Sequence, residues 1–132
     1  MKTDTNKHVG KLGEHIAARY LTSKGFKVKG FNYLRPYGEI DIICTKERMT
    51  HFIEVKTVSR EIKEDVTYEN NAWNPAEKIG DHKLHRMVRT IDTYVQEKGI
   101  EGDWQMDAVL VELDSKTKKA RVEYIENISP YT

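Results

Sequence analysis

The chain has a single cysteine, Cys44, in 132 residues, so no intrachain disulfide can form. A reducing compartment, the cytoplasm, is the expected setting. Long apolar runs are missing too. The longest aliphatic stretch is Ala108-Val109-Leu110-Val111, far short of the roughly 20 residues a helix needs to cross a bilayer. A membrane-spanning helix is thereby excluded. The first residues, Met1 to Asn6, hold none of the apolar segment that marks a secretory signal. Charge of one sign is lacking as well: 22 Lys and Arg stand against 21 Asp and Glu, for a net +1. Overall charge neither favours nor opposes a polyanionic partner, so a case for nucleic acid rests on where the charges sit. Three prolines and eight glycines punctuate the chain without a repeat, a low-complexity tract or a linker. A chain this short builds one core, and residues 1–132 read as a single domain. Hydrophobic residues at 38% and charged residues at 33%, with a mean hydropathy of −0.71, describe a water-facing composition that still fills that core.

The first periodic segment runs from Val9 to Lys24. Val9, Leu12, Ile16 and Tyr20 recur at helical spacing, with Ala17 and Leu21 widening the stripe. Gly25 suits the residue just past the helix end. Phe26-Lys27-Val28-Lys29 alternates as a strand does and runs toward Leu34, where Arg35-Pro36-Tyr37-Gly38 reads as a turn. Glu39 to Cys44 and His51 to Val58 are two further strands, joined by a polar turn at Lys46-Glu47-Arg48-Met49. Ser59 to Asn74 has no period and reads as a long loop, a length that in compact domains goes with function or disorder. Asn74-Pro75-Ala76-Glu77 opens a second helix with N-cap, N1 proline and capping-box glutamate in order. Leu84, Met87, Val88, Ile91 and Val95 form its apolar stripe, and Gly99 closes it. Trp104 to Leu113 and Lys119 to Ile125 are the last two strands, either side of a turn near Asp114-Ser115. The order α-β-β-β-α-β-β predicts a layered α/β or α+β domain with a mixed central sheet.

Strand alternation places the charged residues. In the second strand Glu39, Asp41 and Ile43 share one face, and Ile40, Ile42 and Cys44 the other. In the third, Phe52, Glu54 and Lys56 share a face opposite Ile53, Val55 and Thr57. A two-residue or symmetric four-residue turn pairs Lys46 with Met49 and, further along, Asp41 with Glu54. A one-residue change would mix the charges with the isoleucines. Opposed side chains lie about 5 Å apart, and like charges so placed destabilise a sheet. A divalent cation, Mg²⁺ or Mn²⁺, is the natural compensation, since such ions commonly take one or two carboxylates plus water and phosphate. Lys56, on the same face, suits orienting or deprotonating a water, or stabilising charge on a phosphate. A solvated ion network is the bland alternative for any one of these residues; the three together favour a site.

Gly38-Glu39-Ile40-Asp41-Ile42-Ile43, twelve intervening residues after Asp41, and then Glu54-Val55-Lys56 resemble the PD-(D/E)xK nuclease signature. The chain is similar, more closely, to the YraN-type endonuclease-like family. The shared features are a Gly13-Glu14-His15-Ile16-Ala17-Ala18-Arg19-Tyr20-Leu21 helix, the run from Asn32 to Asp41, the Glu-Val-Lys tripeptide, a basic second helix with Lys83 and Arg86, and Asp107 in the following strand. This resemblance covers nearly the whole chain. It implies a restriction-endonuclease-like fold, with Asp41 and Glu54 holding metal, Lys56 assisting the nucleophile and Glu14 near the same site. Ile40 departs from the wider signature, which has proline before the aspartate.

Glu14 falls at the edge of the first helix's stripe, where an ordinary surface glutamate is the competing reading. Glu39 shares the face of Asp41 and suits an outer, water-linked ligand or a partner of Arg35. Lys78, His82, Lys83, His85, Arg86 and Arg89 make the second helix locally basic, either a phosphate-tracking face or a solvated one. Arg35, His82, Lys83, Arg86 and Arg89 are the candidate nucleic-acid contacts. His82 and His85 lack partners at zinc-ligand spacing. Tyr68 and Trp73 suit stacking on bases or covering the core, and Cys44 suits the core. The expectation is a metal-dependent endonuclease acting on DNA. The alternative is a noncatalytic nucleic-acid-binding module on the same scaffold, with a purely structural carboxylate pair as a third reading. Oligomeric state stays open: a homodimer would suit cutting two strands, but no interface pattern marks one.

Overall fold

The structure is a computed structural model and describes residues 2–62 and 79–131. Its elements in chain order are α1 (Lys2–Ser23), β1 (Lys27–Arg35), β2 (Gly38–Lys46), β3 (Met49–Ser59), α2 (Asp81–Lys98), β4 (Trp104–Asp114) and β5 (Lys119–Ile125). The strands form one five-stranded sheet in the order β1-β2-β3-β4-β5. β1, β2 and β3 are an antiparallel meander, β3 and β4 run parallel, and β5 returns antiparallel to β4. The mixed sheet is the expected one. Its parallel pair requires a crossover, which the segment containing α2 supplies.

Local chemistry explains the boundaries. Both helices end in a Schellman motif. Gly25 (φ 93) and Phe26 donate to the Thr22 and Leu21 carbonyls, and Gly99 (φ 60) and Ile100 donate to those of Gln96 and Val95. The β2–β3 turn is two residues long, and Glu47 and Arg48 both adopt positive φ, 51° and 68°. That is the twist a tight hairpin needs, achieved here without glycine. It sets the expected register: Lys46↔Met49, Thr45↔Thr50, Cys44↔His51, Ile43↔Phe52 and Ile42↔Ile53.

The sheet is covered on both faces. Leu84, Met87 and Ile91 of α2 pack on Ile40, Ile43, Phe52, Met106, Ala108 and Leu110. Ala17 and Leu21 of α1 pack on Phe26, Ile42, Cys44, Ile53, Val109 and Val111. The layers are helix, sheet, helix, and Cys44 lies in the core as expected.

Three expectations need correction. The stripe of α1 is not centred on Val9, Leu12, Ile16 and Tyr20, because Leu12 is 44% exposed while Gly13, Ala17 and Leu21 are buried. Small residues at i and i+4 win because they bring the helix backbone onto the sheet. The strict alternation of β2 also fails. Ile40 joins Ile43 under α2, whereas Ile42 and Cys44 face α1. The face changes at Asp41, just where the regular pairing with β3 stops after Ile42↔Ile53. Finally, α2 starts at Asp81 behind Gly80, whose φ of 94° and ψ of 140° are not helical. The proposed start at Asn74, Pro75 and Glu77, Lys78, the bulk of the Ser59–Asn74 loop, and Tyr68 and Trp73 lie outside the described residues.

Gly13 shows how closely α1 approaches. A Cβ there would sit 1.8 Å from Thr57 Oγ1 and 2.8 Å from Thr57 Cβ, whereas one on Gly10, a turn earlier, would meet nothing within 4 Å. Gly13→Ala is expected to destabilise the fold by about 1–3 kcal/mol through overpacking. Gly10→Ala should stabilise it by about 0.5–1 kcal/mol through backbone entropy. Urea unfolding followed by circular dichroism checks both signs. A gain for both variants would mean that Gly13 does not set the approach of α1.

Candidate functional site

The hairpin brings Asp41 and Glu54 together within β2, where its pairing with β3 stops after Ile42↔Ile53. The Val55 amide donates to Asp41 Oδ2 at 2.8 Å. A side-chain carboxylate thus replaces the strand carbonyl that would continue the ladder, and Asp41 is pinned against β3. Glu54, one residue earlier, is 2% exposed and forms an ion pair with Lys83 of α2. Asp41 and Lys83 open onto a cleft of about 470 Å³. Gly10 and Glu14 of α1, Asp41 of β2, Lys56 and Thr57 of β3 and Lys83 of α2 line it. Glu14 owes its place to its neighbour, since the tight Gly13–Thr57 contact carries that turn of α1 against β3.

Every acid here is held above its ordinary pKa. Burial is the main cause for Asp41, reinforced by the Glu54 charge and opposed by the Val55 amide, and the result is a value of about 8. Burial also raises Glu54, with Lys83 and a hydrogen bond to Asp41 working against it. Glu14 is raised by burial too, offset in part by Asn32 and reinforced by Glu39. Burial alone would lower the Lys83 ammonium, but the Glu54 carboxylate outweighs it and the pKa rises. One proton and one ammonium therefore balance a pair of carboxylates that repel each other.

The donor set fits a hard divalent cation of the Mg²⁺ kind. Asp41 and Glu54 supply carboxylate oxygens, and such ions take one or two of these, with water and phosphate completing the shell. Among the described residues no group of three or more His, Cys, Asp and Glu side chains forms a closed ligand set. An open, two-carboxylate arrangement is thus what the chain offers.

The remaining sequence candidates fall in several places. Lys56 is exposed at the rim of the cleft, and Glu39 is exposed near Glu14 and Glu54. Lys83 faces into the cleft as the partner of Glu54, a role its place in a basic helix run did not reveal. Arg35 does not pair with Glu39. Its guanidinium binds Glu97 of α2 at 2.6 Å and stacks 4.1 Å above the Tyr33 ring, fastening β1 to α2. Arg89 stacks at 4.1 Å on Tyr37, and His82 and Arg86 are exposed on α2. Reasoning from spacing also passed over a cluster around Asp107 and His51. The available signal was one aspartate in the otherwise apolar run Met106-Asp107-Ala108-Val109-Leu110.

Comparison with known proteins adds a family. Residues 13–111 match the model of the Uncharacterised protein family UPF0102. A UPF0102 protein of Campylobacter hominis is 34% identical over 116 residues, 88% of each chain. A UPF0102 protein of Campylobacter fetus subsp. fetus is 31% identical over 120 residues, 91% of this chain and 92% of its own. One from a Nitratiruptor species is 31% identical over 121 residues, 92% of each. Among the described residues no helix is long and apolar enough to cross a membrane.

The raised Asp41 value makes stability depend on pH. Its ordinary value is 3.8, so the folded state binds the proton more tightly than the unfolded chain does. Its contribution is whole below the unfolded value and is lost as pH rises through about 8. Asp41→Asn keeps an acceptor for the Val55 amide and removes the charge. The variant should be more stable than the parent at about pH 8.5, by at least about 1 kcal/mol, the worth of one pKa unit. The gap should close in acid. Denaturation across a pH series reads this directly, and a pH-independent gap would contradict the shared-proton reading.

Proposed function

The chain belongs to the uncharacterised family UPF0102, and we propose, from the chemistry of its cleft, that it is a divalent-cation-dependent endonuclease hydrolysing phosphodiester bonds in DNA. The observation that carries this reading is the Asp41–Glu54 pair, a half-buried and a buried carboxylate within hydrogen-bonding reach of each other, with Lys83 paired to Glu54 and Lys56 at the same cleft. Alone, such a cleft repels a phosphate. With Mg²⁺ or Mn²⁺ held by Asp41 and Glu54 it would attract one. The restriction-endonuclease-like arrangement implied by the sequence resemblance belongs to the same proposal.

The bound ion would neutralise phosphate charge and make a water more acidic. The rest is work for the chain's own side chains. Lys56, exposed at the rim, orients the attacking water and offers its amine to the developing phosphate charge. Lys83 neutralises Glu54 while no cation is present, and its half-exposed stem lets it swing to a phosphate oxygen once Glu54 is otherwise engaged. Glu14, whose pKa burial raises, donates or accepts a proton at the cleft wall. In the reaction the water oxygen forms a new bond to phosphorus, one bridging P–O bond breaks, and the water's proton passes to a basic side chain or to solvent. His82 and Arg86 extend a basic surface along α2 for the backbone of the substrate.

A second reading, a noncatalytic nucleic-acid-binding module, draws on the Lys83–Glu54 pair, because that pair already balances charge without an ion. Labelled single-stranded, duplex and branched DNA, with RNA counterparts, incubated with Mg²⁺ or Mn²⁺, separates the two. Cleavage should require the ion. Asp41→Asn and Lys56→Ala should each lower it at least about 100-fold with the circular dichroism spectrum intact. Mg²⁺ should raise the melting temperature of the parent, as any ligand of the native state does. Salt-sensitive binding without hydrolysis favours the second reading. Cleavage that persists in both purified variants removes this cleft from consideration.

A further inference from the structure

The sheet carries a second constellation, built on Asp107 of β4, which pairs with Ile53 of β3. This residue is wholly buried in β4, and its carboxylate accepts four hydrogen bonds. Oδ2 takes Tyr124 Oη at 2.6 Å and His51 Nδ1 at 2.6 Å, and Oδ1 takes Gln105 Nε2 at 2.7 Å and the Asn127 amide at 3.1 Å. The acceptor fixes the imidazole: Nδ1 carries a proton toward Asp107, and Nε2, across the ring, is the nitrogen left for the outside. His51 is a wall of a cleft of about 410 Å³, within the size range of small-ligand sites. Phe26 and Tyr124 supply aromatic walls, the Phe26 ring standing edge-on to His51 at 5.0 Å and to Tyr124 at 5.8 Å. Two ammonium groups ride over its rings, Lys46 Nζ 4.9 Å from the Phe26 centroid and Lys24 Nζ 5.6 Å from that of Tyr20. The Gln105 and Glu126 side chains add polar groups to the lining.

A histidine–aspartate pair that only ties β3 to β4 needs no open cleft beside it and no pair of lysines above its aromatic walls. We propose that this cleft is a second binding site, one that takes a mononucleotide unit. The phosphate lies among His51 Nε2, Lys24 and Lys46: the two ammonium groups donate charge-assisted hydrogen bonds to it, and Nε2, with the ring proton on Nδ1, accepts one from a phosphate O–H. The base lies against Phe26 and Tyr124, where stacking accepts any base. Gln105 and Glu126 meet the base edge. The unit is either a free nucleotide or the phosphorylated end of a strand. The site uses no residue of the Asp41–Glu54 cleft and stands whether or not that cleft hydrolyses DNA.

Titration calorimetry on the full chain tests it, with dAMP, deoxyadenosine, inorganic phosphate and a dinucleotide with or without a 5′-phosphate as probes. A phosphorylated probe should bind saturably. Deoxyadenosine and inorganic phosphate alone should each bind at least about tenfold more weakly. The double variant Lys24→Met/Lys46→Met should weaken the phosphorylated probe by at least about tenfold, and His51→Gln should do the same. Asp41→Asn should leave it unchanged. The lysines lie at the rim and outside the buried network, so the double variant stays informative even if His51→Gln fails to fold. Binding of dAMP as tight as that of the phosphorylated dinucleotide identifies a free nucleotide, and binding of the dinucleotide alone identifies a strand end. No saturable binding of dAMP or phosphorylated dinucleotide, or binding indifferent to the lysines, would overturn the proposal and leave His51–Asp107 a structural tie.

Discussion

The bond from the Val55 amide to the Asp41 carboxylate organises the functional end of this molecule. In an ordinary ladder that amide would find a backbone carbonyl of the neighbouring strand. Here it finds a side chain, so the β2–β3 pairing stops at Ile42↔Ile53 and β2 re-orients. Ile40 then turns to the α2 side of the sheet while Ile42 stays on the α1 side. Without this substitution Asp41 would be one more alternating strand residue. With it, the carboxylate is trapped in a partly dry wedge beside Glu54, with Gly10 and Glu14 of α1 closing one side and Lys83 of α2 the other.

Burial and charge are set against each other in that wedge. Acids at Asp41, Glu54 and Glu14 all have raised pKa values, and burial leads the causes in each. The fold tolerates them because Lys83 and a shared proton supply the missing positive charge. The same chain holds a very different carboxylate in β4, where Asp107 accepts four hydrogen bonds, from His51, Gln105, Tyr124 and the Asn127 amide. The half-buried Asp41 and the wholly buried Asp107 thus mark different solutions to the same desolvation problem.

Much of this was legible from residue order. The hairpin register followed from a two-residue turn and the requirement that isoleucines face inward, and β5 runs from Lys119 to Ile125 just as its alternation indicates. Glycine just past each helix marked both ends. What could not be read is what depends on close approach. Gly13 stands beside a leucine-containing stripe with no signal of its packing, yet its missing Cβ is what allows α1 onto Thr57, while Leu12 is exposed. The non-helical backbone at Gly80, which interrupts the continuous helix expected from Asn74 onward, carries no signal in the apolar stripe, and the helix that bears Leu84, Met87 and Ile91 begins at Asp81. The inward role of Lys83 was hidden because one charged residue in a basic run looks like its neighbours. Only the rotation of α2 on the sheet selects it.

Connectivity also imposes an order of assembly. Asp41 and Glu54 belong to a single tight hairpin, a contact between near neighbours in the chain that forms on the microsecond scale. Lys83 lies beyond the crossover, and the parallel docking of β4 on β3 is the long-range step, which is slow because a large loop must close first. The two acids therefore meet before their ammonium counterweight arrives. A meander formed before the crossover closes would carry an anionic notch that acid or a divalent salt would neutralise.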